Sequence, residues 1–224
     1  MKDRQRDPQA KSCCARDNGR ASLVQIVGKK YAMRWKSHFN GPAVALRRLN
    51  AVSDIPPEND GKIIYEGELG IVIGKTCFNI TEAQAGDYIF GYTCVNDVTA
   101  VELLKKNPSF EQWTRCKSFD TFGVFGPVIA TGLDSMNLSI KTILNGKERQ
   151  NYPVADMFFP PHTLVAALSR DMTLMPGDII AGGTSLGAGV MGEARNVVDI
   201  VIDGIGKLTN SFDQVVPPKP TAPS

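Results

Sequence analysis

No long apolar run occurs in this sequence. None of its hydrophobic stretches approaches the ~18 residues that a transmembrane helix needs. The first residues, Met-Lys-Asp-Arg-Gln-Arg-Asp-Pro, lead into no apolar segment of the kind that a secretory signal contains. Hydrophobic residues still make up 42% of the 224 residues and charged residues 21%. We therefore expect a globular chain with a sizeable core that neither spans a membrane nor is secreted.

Paired cysteines are also missing. The cysteines number five, they show no C-x-x-C spacing, and two of them, Cys13 and Cys14, are adjacent. This arrangement fits neither a zinc knuckle nor a disulfide framework. We therefore predict a reducing, cytoplasmic environment.

Charge is distributed unevenly along the chain. The net charge is +2, but residues 1–50 hold twelve Lys or Arg against three Asp, so the remainder is acidic. A basic arm of this kind can contact nucleic acid. Because residues 1–22 contain no aromatic residue, we instead interpret them as a flexible basic leader. Residues 214–224 are rich in proline and predict a tail with little reason to fold.

Signatures of a nucleotide-binding fold are absent. The glycine-rich segment 182–189 lacks the lysine of a phosphate-binding loop, and strands and helices do not alternate regularly. We find no internal repeat either. The sequence thus disfavours a doubly wound fold.

The predicted secondary structure is mostly β. Two helices are expected, one from Val98 to about Lys106 and one opening at Pro160-Pro161, together with a helical turn at Thr81 that Gln84 caps. Short apolar segments bounded by Gly, Pro, Asn and Asp predict strands at 63–73, 88–92, 126–131, 138–144, 178–181 and 197–202.

Two glutamates stand out in the first of these strands. With a period of two, Glu66 and Glu68 share one face with Gly67 between them. Such carboxylates repel each other unless a cation or solvent separates them, and all-oxygen ligation suits Mg²⁺ or Mn²⁺. A solvated strand face is the simpler alternative. The opposite, apolar face is formed by Ile63, Tyr65, Leu69, Ile71 and Ile73.

A third carboxylate lies at the end of the next apolar segment. Asp97 precedes the first predicted helix, so it can serve either as a metal ligand or as the helix N-cap. Composition and periodicity do not decide between these roles.

Several motifs together resemble the fumarylacetoacetate hydrolase family. The resemblance is collinear over about residues 62–212, and it implies a mixed β-sandwich roll of the α+β class, mostly β, that forms a homodimer and acts on small 2-oxo acids or dicarboxylates. Family members bind a divalent cation, typically Mg²⁺, through a Glu-x-Glu pair and the Asp of an Asn-Asp motif. The motifs are 65–75 (YEGELGIVIGK), 89–100 (IFGYTCVNDVTA), 117–122 (KSFDTF), Gly126-Pro127, 144–146 with Gln150, 174–179, Gly183-Thr184, and 204–206 near Asn210.

The resemblance implies a role for individual residues. Glu66, Glu68 and Asp97 match the metal ligands. Lys117 matches a lysine near metal and substrate, where an ammonium would stabilise an enolate or a carboxylate. Thr184 matches a residue that holds the substrate carboxylate. Gln150, as a further substrate-binding residue, and Asp120 are weaker candidates. The alternatives are a surface cation at Lys117 and an ordinary turn at Thr184.

The N-terminal lid departs from the family pattern N-Y-x-x-H-x-x-E. Tyr31 is retained as a candidate substrate contact, but Arg34 and Ser37 occupy the positions of the His and Glu that activate water. A guanidinium cannot act as a base near neutral pH. Either His38 serves as the catalytic base in a shifted lid, over residues 29–48, or the activity does not use this dyad.

Two further basic positions differ. Val101 replaces an arginine that often follows the Asn-Asp motif, and Arg47 is a candidate substrate contact that compensates for it. His162, at the start of a predicted helix, is interpreted as a surface or capping histidine.

The leading hypothesis is a metal-dependent C–C hydrolase of acylpyruvate-like or fumarylacetoacetate-like 2-oxo acids. Because the lid dyad is missing, a decarboxylase, isomerase or hydratase of aromatic catabolism is the alternative, and a non-catalytic metal-binding member is the rival from another class. A third hypothesis is nucleic-acid association through the basic arm. The predicted organisation is a leader (1–22), a lid segment (23–61), a catalytic domain (62–213) and a tail (214–224).

Overall fold

Strands dominate the computed structural model. It describes residues 62–107, 109–119 and 121–213, together with two short strands nearer the N-terminus. The strands in chain order are β1 (Gln25–Val27), β2 (Val52–Asp54), β3 (Ile63–Tyr65), β4 (Gly67–Ile73), β5 (Ile89–Asn96), β6 (Thr99–Ala100), β7 (Val124–Ala130), β8 (Ser139–Leu144), β9 (Lys147–Pro153), β10 (Ile179–Ala181), β11 (Gly189–Val190), β12 (Arg195–Ile202) and β13 (Gly206–Asp213).

Helices are short and few in the described part of the chain. The α-helices are α1 (Glu102–Lys105), α2 (Trp113–Cys116) and α3 (Pro161–Asp171), and 3-10 turns occupy Glu82–Asp87, Ser135–Asn137 and Val154–Asp156. None of the described helices combines the length and the apolar character needed to cross a membrane.

Two five-stranded sheets form the body of the domain. The first has the order β1-β10-β4-β5-β7 and is antiparallel throughout, and the second has the order β2-β13-β12-β8-β9, in which only β2 and β13 run parallel. A small third sheet has the order β11-β3-β6. Leu69 and Ile71 of the first sheet share one apolar core with Ile140, Ile200 and Leu208 of the second. The predicted mixed β-sandwich is therefore confirmed.

The predicted alternation around the two glutamates is also confirmed. The apolar face predicted for residues 63–73 is buried in the main core. Val72, on the opposite face, packs in a second cluster with Val95 and Ile179. Strand β4 is thus buried on both faces.

The single strand predicted over residues 63–73 is wrong in one respect. The chain leaves β3 at Glu66 and enters a different sheet at Gly67. The break is held by neighbouring groups, because the Asp97 amide donates to the Glu66 carbonyl (2.9 Å) and the Glu66 amide donates to Asn96 Oδ1 (3.3 Å). Glu66 therefore lies at a corner between two sheets.

The helix predicted from Val98 to Lys106 is likewise shorter than expected. Thr99 and Ala100 pair with β3, and the helix begins only at Glu102 with Val101 as its N-cap. Asp97 is therefore not a helix cap, and that alternative is wrong.

Six of the described strands were not predicted, namely β1, β2, β6, β9, β11 and β13, and two helical predictions are confirmed. Strands β9 and β13 carry many polar residues, so their apolar alternation is weak. Helix α3 begins at Pro161, as predicted. The turn after Thr81 forms with its expected cap, since the Thr81 amide donates to Gln84 Oε1 at 3.0 Å.

Candidate metal centre

Three carboxylates converge where β4 and β5 pair. Gly67 lies opposite Asn96 in this antiparallel ladder, which brings Glu66 and Glu68 beside Asp97. Each of the three side chains offers one oxygen, and these oxygens lie within 4.8 Å of one another. The structure therefore brings together all three residues that were predicted as metal ligands.

Burial distinguishes this cluster from an ordinary acidic surface. Asp97 is 0% exposed and Glu68 1%, while the side chain of Glu66 keeps 16% of its accessible surface. The alternative of a solvated strand face is therefore wrong for Glu68.

Crowding of the three carboxylates also affects their protonation. Burial, with the negative charge of Glu66 adding to it, raises the pKa of Asp97 to about 6, although Lys117 works against this shift. The pKa of Glu68 is raised by burial first and then by the charges of Asp97 and Glu66. An additional positive charge at the cluster would therefore relieve repulsion.

Lys117 supplies one positive charge to the cluster. Its Nζ lies 2.7 Å from Glu66 Oε2, 2.5 Å from Asp97 Oδ2 and 2.9 Å from Thr99 Oγ1. Burial alone would lower the pKa of Lys117, but the carboxylates of Asp97, Glu66 and Glu68 outweigh it, so the net shift is upward. Lys117 is buried and protonated, and its interpretation as a surface cation is wrong.

The donor set fits a hard divalent cation. Lys117 balances one of the three negative charges, and the Gly183 amide donates to Glu68 Oε2 at 2.9 Å. A net negative charge remains on closely spaced oxygen atoms. Carboxylate oxygens are the ligands that Mg²⁺ and Mn²⁺ prefer, whereas zinc favours nitrogen and sulfur.

The turn after β10 connects this cluster to the second sheet. Thr184 Oγ1 donates to the Gly67 carbonyl (3.1 Å) and accepts from Gln150 Nε2 (2.9 Å). Gln150 Nε2 also donates to the Ser185 carbonyl (2.9 Å), and its Oε1 accepts from the Gly67 amide (3.2 Å). Gln150 and Thr184 therefore lie beside the carboxylates, and their substrate-binding roles stay predictions.

The remaining candidates lie elsewhere. His162 is exposed at the start of α3, beside Gly86, as expected for a surface histidine. The predicted lid and catalytic-base residues lie outside the described residues, and so do the candidate Asp120, the leader and the tail. The positions concerned are Tyr31, Arg34, Ser37, His38, Arg47, Asp120, 1–22 and 214–224.

Two residues beside the cluster were not predicted. Thr99 contacts both Glu66 and Lys117, and the hydroxyl of Tyr152 donates to the Gly67 carbonyl at 2.7 Å. Thr99 follows Asp97 by two residues, a spacing that places both side chains on the same side of an extended chain, so the sequence could have indicated Thr99. Tyr152 belongs to β9, a strand that apolar alternation did not indicate, so no sequence signal pointed to it.

The comparisons with known proteins agree with this arrangement. A family model described as fumarylacetoacetate (FAA) hydrolase C-terminal matches residues 13–213. The chain belongs to this family. The resemblance inferred from the motifs is thereby confirmed.

Curated relatives within the fumarylacetoacetate hydrolase family include both unassigned and assigned proteins. An uncharacterised protein of Methanocaldococcus jannaschii is 47% identical over 156 residues, covering 70% of this chain and 64% of the relative. The oxaloacetate tautomerase YisK of Bacillus subtilis is 40% identical over 164 residues, covering 69% of this chain and 54% of that protein. The chain thus spans about three fifths of the length of these relatives.

Solved structures show the same fold. A 5-carboxymethyl-2-hydroxymuconate delta-isomerase from Mycobacterium smegmatis superposes with a TM-score of 0.70 at 38% identity, over 75% of this chain and 64% of that one. A fumarylpyruvate hydrolase from Pseudomonas aeruginosa, in complex with Mn²⁺ and pyruvate, gives a TM-score of 0.68 at 27% identity, over 74% and 72%. Members of this family therefore include isomerases, tautomerases and hydrolases of small organic acids. A homodimer and a cytoplasmic location stay predictions for this chain.

Proposed function

We propose that the chain carries the catalytic domain of an enzyme that uses Mg²⁺ or Mn²⁺ to act on small 2-oxo acids. The observation that carries this proposal is the buried cluster of Glu66, Glu68 and Asp97 with the ammonium of Lys117 at hydrogen-bond distance. The complex of the hydrolase from P. aeruginosa supports it, because pyruvate is a 2-oxo acid and Mn²⁺ a hard divalent cation.

The chemistry follows from charge placement. A divalent cation held by Glu66, Glu68 and Asp97 would draw electron density from the 2-oxo-carboxylate group of a substrate. Lys117 adds a fixed positive charge beside the same site, and its raised pKa keeps the proton on Nζ near neutral pH. In this scheme its ammonium stabilises negative charge. Because Thr99 and Asp97 already orient the ammonium, little reorganisation is needed during the reaction.

Keto–enol tautomerisation or a related isomerisation is the reaction that the described residues support best. Such a reaction needs stabilisation of an enolate and exchange of a proton next to a ketone, and water can accept that proton. It does not need a water molecule activated for attack. The relatives at 38–40% identity include a tautomerase and an isomerase. The one histidine in the described part of the chain, His162, packs beside Gly86 and supplies no base to this scheme.

Hydrolysis of a C–C bond, in acylpyruvates or fumarylacetoacetate-like acids, is the second candidate. The family description and the fumarylpyruvate hydrolase neighbour favour it. Hydrolysis additionally requires a general base that activates water. Among residues 29–48 that base would be His38, the only histidine of the segment. Replacing His38 by alanine separates the two candidates, because only hydrolysis should be lost.

A metal-exchange assay tests the proposal. The full chain is stripped with chelator, reloaded with Mg²⁺ or Mn²⁺, and assayed for oxaloacetate tautomerisation and decarboxylation and for acylpyruvate cleavage. We expect turnover only with metal. In Glu68→Gln, calorimetry should show a loss of Mn²⁺ affinity larger than the about 10–100-fold typical of changes to outer-shell partners.

Glu193→Gln is the matched control, because Glu193 is exposed and only its backbone amide and carbonyl are engaged among the described contacts. It should bind metal and turn over substrate like the wild type. Unchanged Mn²⁺ affinity in Glu68→Gln would exclude the metal site. Tight Mn²⁺ binding without turnover on a broad panel of 2-oxo acids would instead favour a non-catalytic, metal-binding protein.

A further inference from the structure

Gly67 joins the two glutamates of the candidate metal centre through two peptide units. The first unit links Glu66 to Gly67 and presents the Gly67 amide, and the second links Gly67 to Glu68 and presents the Gly67 carbonyl. The relative orientation of these two units fixes the separation of the Glu66 and Glu68 carboxylates. Whatever holds Gly67 therefore also sets the spacing of two ligands.

Side chains of β9 hold both peptide units from the opposite sheet. Gln150 Oε1 accepts from the Gly67 amide at 3.2 Å, and the Tyr152 hydroxyl donates to the Gly67 carbonyl at 2.7 Å. Residues two apart on a strand point to the same side, so both side chains reach across together. Gln150 therefore holds the peptide unit between Glu66 and Gly67, and Tyr152 holds the one between Gly67 and Glu68.

Further interactions hold the side chains of Gln150 and Tyr152 in the positions from which they contact Gly67. The amide nitrogen of Gln150 is anchored by Thr184 and Ser185, and the side chain is buried. Burial, strengthened by the charge of Glu68, raises the pKa of Tyr152 far above its usual value, so its hydroxyl keeps its proton and remains a donor.

The second sheet also leaves no space for a side chain at Gly67. A Cβ at this position would lie 2.0 Å from Thr142 Oγ1 and 3.0 Å from Ile200 Cδ1, both on the second sheet. Thr142 lies opposite Gln150 in the β8–β9 ladder. The peptide units of Gly67 therefore rest directly on the second sheet, with no room to shift toward it.

We propose that Tyr152 and Gln150 are positioning residues, which fix the Glu66-Gly67-Glu68 backbone from the second sheet and thereby set the affinity of the metal centre. Neither side chain needs to touch the cation or the substrate. The inference rests on the proposed metal site. It assigns Gln150 a role different from direct substrate binding, and it gives a role to Tyr152, which the sequence motifs do not mark.

Mn²⁺ binding to the full chain tests this inference. Tyr152→Phe removes one hydroxyl and keeps the ring, so the core packing is preserved. We expect its Kd for Mn²⁺, measured by calorimetry, to rise about tenfold, as is typical when an outer-shell partner of a metal ligand is lost. The electron paramagnetic resonance spectrum of the bound Mn²⁺ should change as well, because the ligand geometry relaxes.

Tyr92→Phe is the matched control. Tyr92 is a buried tyrosine of the same core, but it lies on β5 opposite Ile71 and Ala130 and makes no described contact with Gly67. It should leave Mn²⁺ affinity and the resonance spectrum unchanged even if thermal stability falls as much as in Tyr152→Phe. Gln150→Met is a second test variant, which keeps the side-chain length but lacks the amide, and we expect it too to weaken Mn²⁺ binding.

The outcomes separate the two proposals. If the wild type binds Mn²⁺ and both Tyr152→Phe and Gln150→Met bind it equally tightly with the same spectrum, the positioning role is overturned while the metal site stands. If Tyr152→Phe does not fold, Gln150→Met alone is the test, and unchanged Mn²⁺ affinity with an unchanged spectrum in that variant overturns the positioning role. If the wild type binds no Mn²⁺, the metal site is wrong and the positioning role falls with it.

Discussion

Two lysine–carboxylate clusters in this molecule use the same residue types in opposite surroundings. At the candidate metal centre, Lys117 contacts Asp97 and Glu66 with its side chain only 2% exposed. On the second sheet, Lys207 lies 3.5 Å from Asp199 Oδ2 with its side chain 57% exposed. Water screens the second pair, so it contributes little to folding.

The two clusters differ in the cost of removing their charges from water. Removing charges from water costs several kcal/mol per ion, and an ion pair recovers this only when its geometry is good and its other polar atoms are satisfied. The buried cluster holds three acids against one ammonium, which is an unfavourable balance for stability alone. Such an arrangement is expected where charge serves a function, and it should respond to mutation far more than the exposed pair does.

The largest expected effect follows from removing the buried ammonium. In Lys117→Met the acids lose their positive partner, and leaving a buried charge unpaired typically costs about 3–5 kcal/mol. We expect a loss of that size in the free energy of unfolding, measured by urea denaturation in chelator. Added Mn²⁺ should restore part of the loss, because a cation can replace the missing charge. A variant as stable as the wild type in chelator would mean that Asp97 and Glu66 need no ammonium.

A smaller effect is expected at the contact between the sheets. Gly67→Ala places a methyl group against Thr142 Oγ1 and Ile200 Cδ1, and overpacking of this kind costs about 1–3 kcal/mol. Mn²⁺ affinity should fall with stability, since the backbone between the two glutamates must shift. Gly192→Ala is the control, because no atom lies within 4 Å of its added Cβ. If both substitutions had equal effects on denaturation, the close contact at Gly67 would not matter.

The smallest effect is expected at the exposed pair. Lys207→Met should change the free energy of unfolding by less than about 1 kcal/mol, and the difference should shrink further in high salt. Mn²⁺ affinity should not change. A loss comparable to that of Lys117→Met, in the same urea titration, would break the distinction between the two clusters.

Much of the candidate site could be predicted from the sequence, because two of its ligands are close in the chain and the third lies in a family motif. Glu66 and Glu68 follow from period-two alternation, and the family motifs supplied Asp97 and Lys117. The fold itself followed from the collinear motifs and could not have been obtained from composition. Burial of Glu68 could not be predicted, since an alternating strand with polar residues on one face usually exposes that face to water.

Contacts between residues that are distant in the chain could not be predicted from local sequence patterns. The break at Glu66 depends on Asp97 and Asn96, which lie about thirty residues downstream. Strand β9 escaped prediction because its exposed residues are polar and only Gln150 and Tyr152 are buried. Gln150 and Tyr152, two of the side chains that hold Gly67, are thus ones that the period-two rule was least able to identify.

The position of β1 has a consequence for local unfolding. This strand contributes only three residues and, among the described strands, lies at the edge of the first sheet, where it pairs with β10. Short edge strands fray at a small fraction of the free energy needed for global unfolding. β10 ends at Ala181, and Gly183 follows two residues later with its amide on Glu68. An opening of the sheet that starts at β1 and extends along β10 would therefore soon reach the Gly183 amide, which donates to a carboxylate of the candidate metal centre, and amide hydrogen exchange at Gly183 would report it.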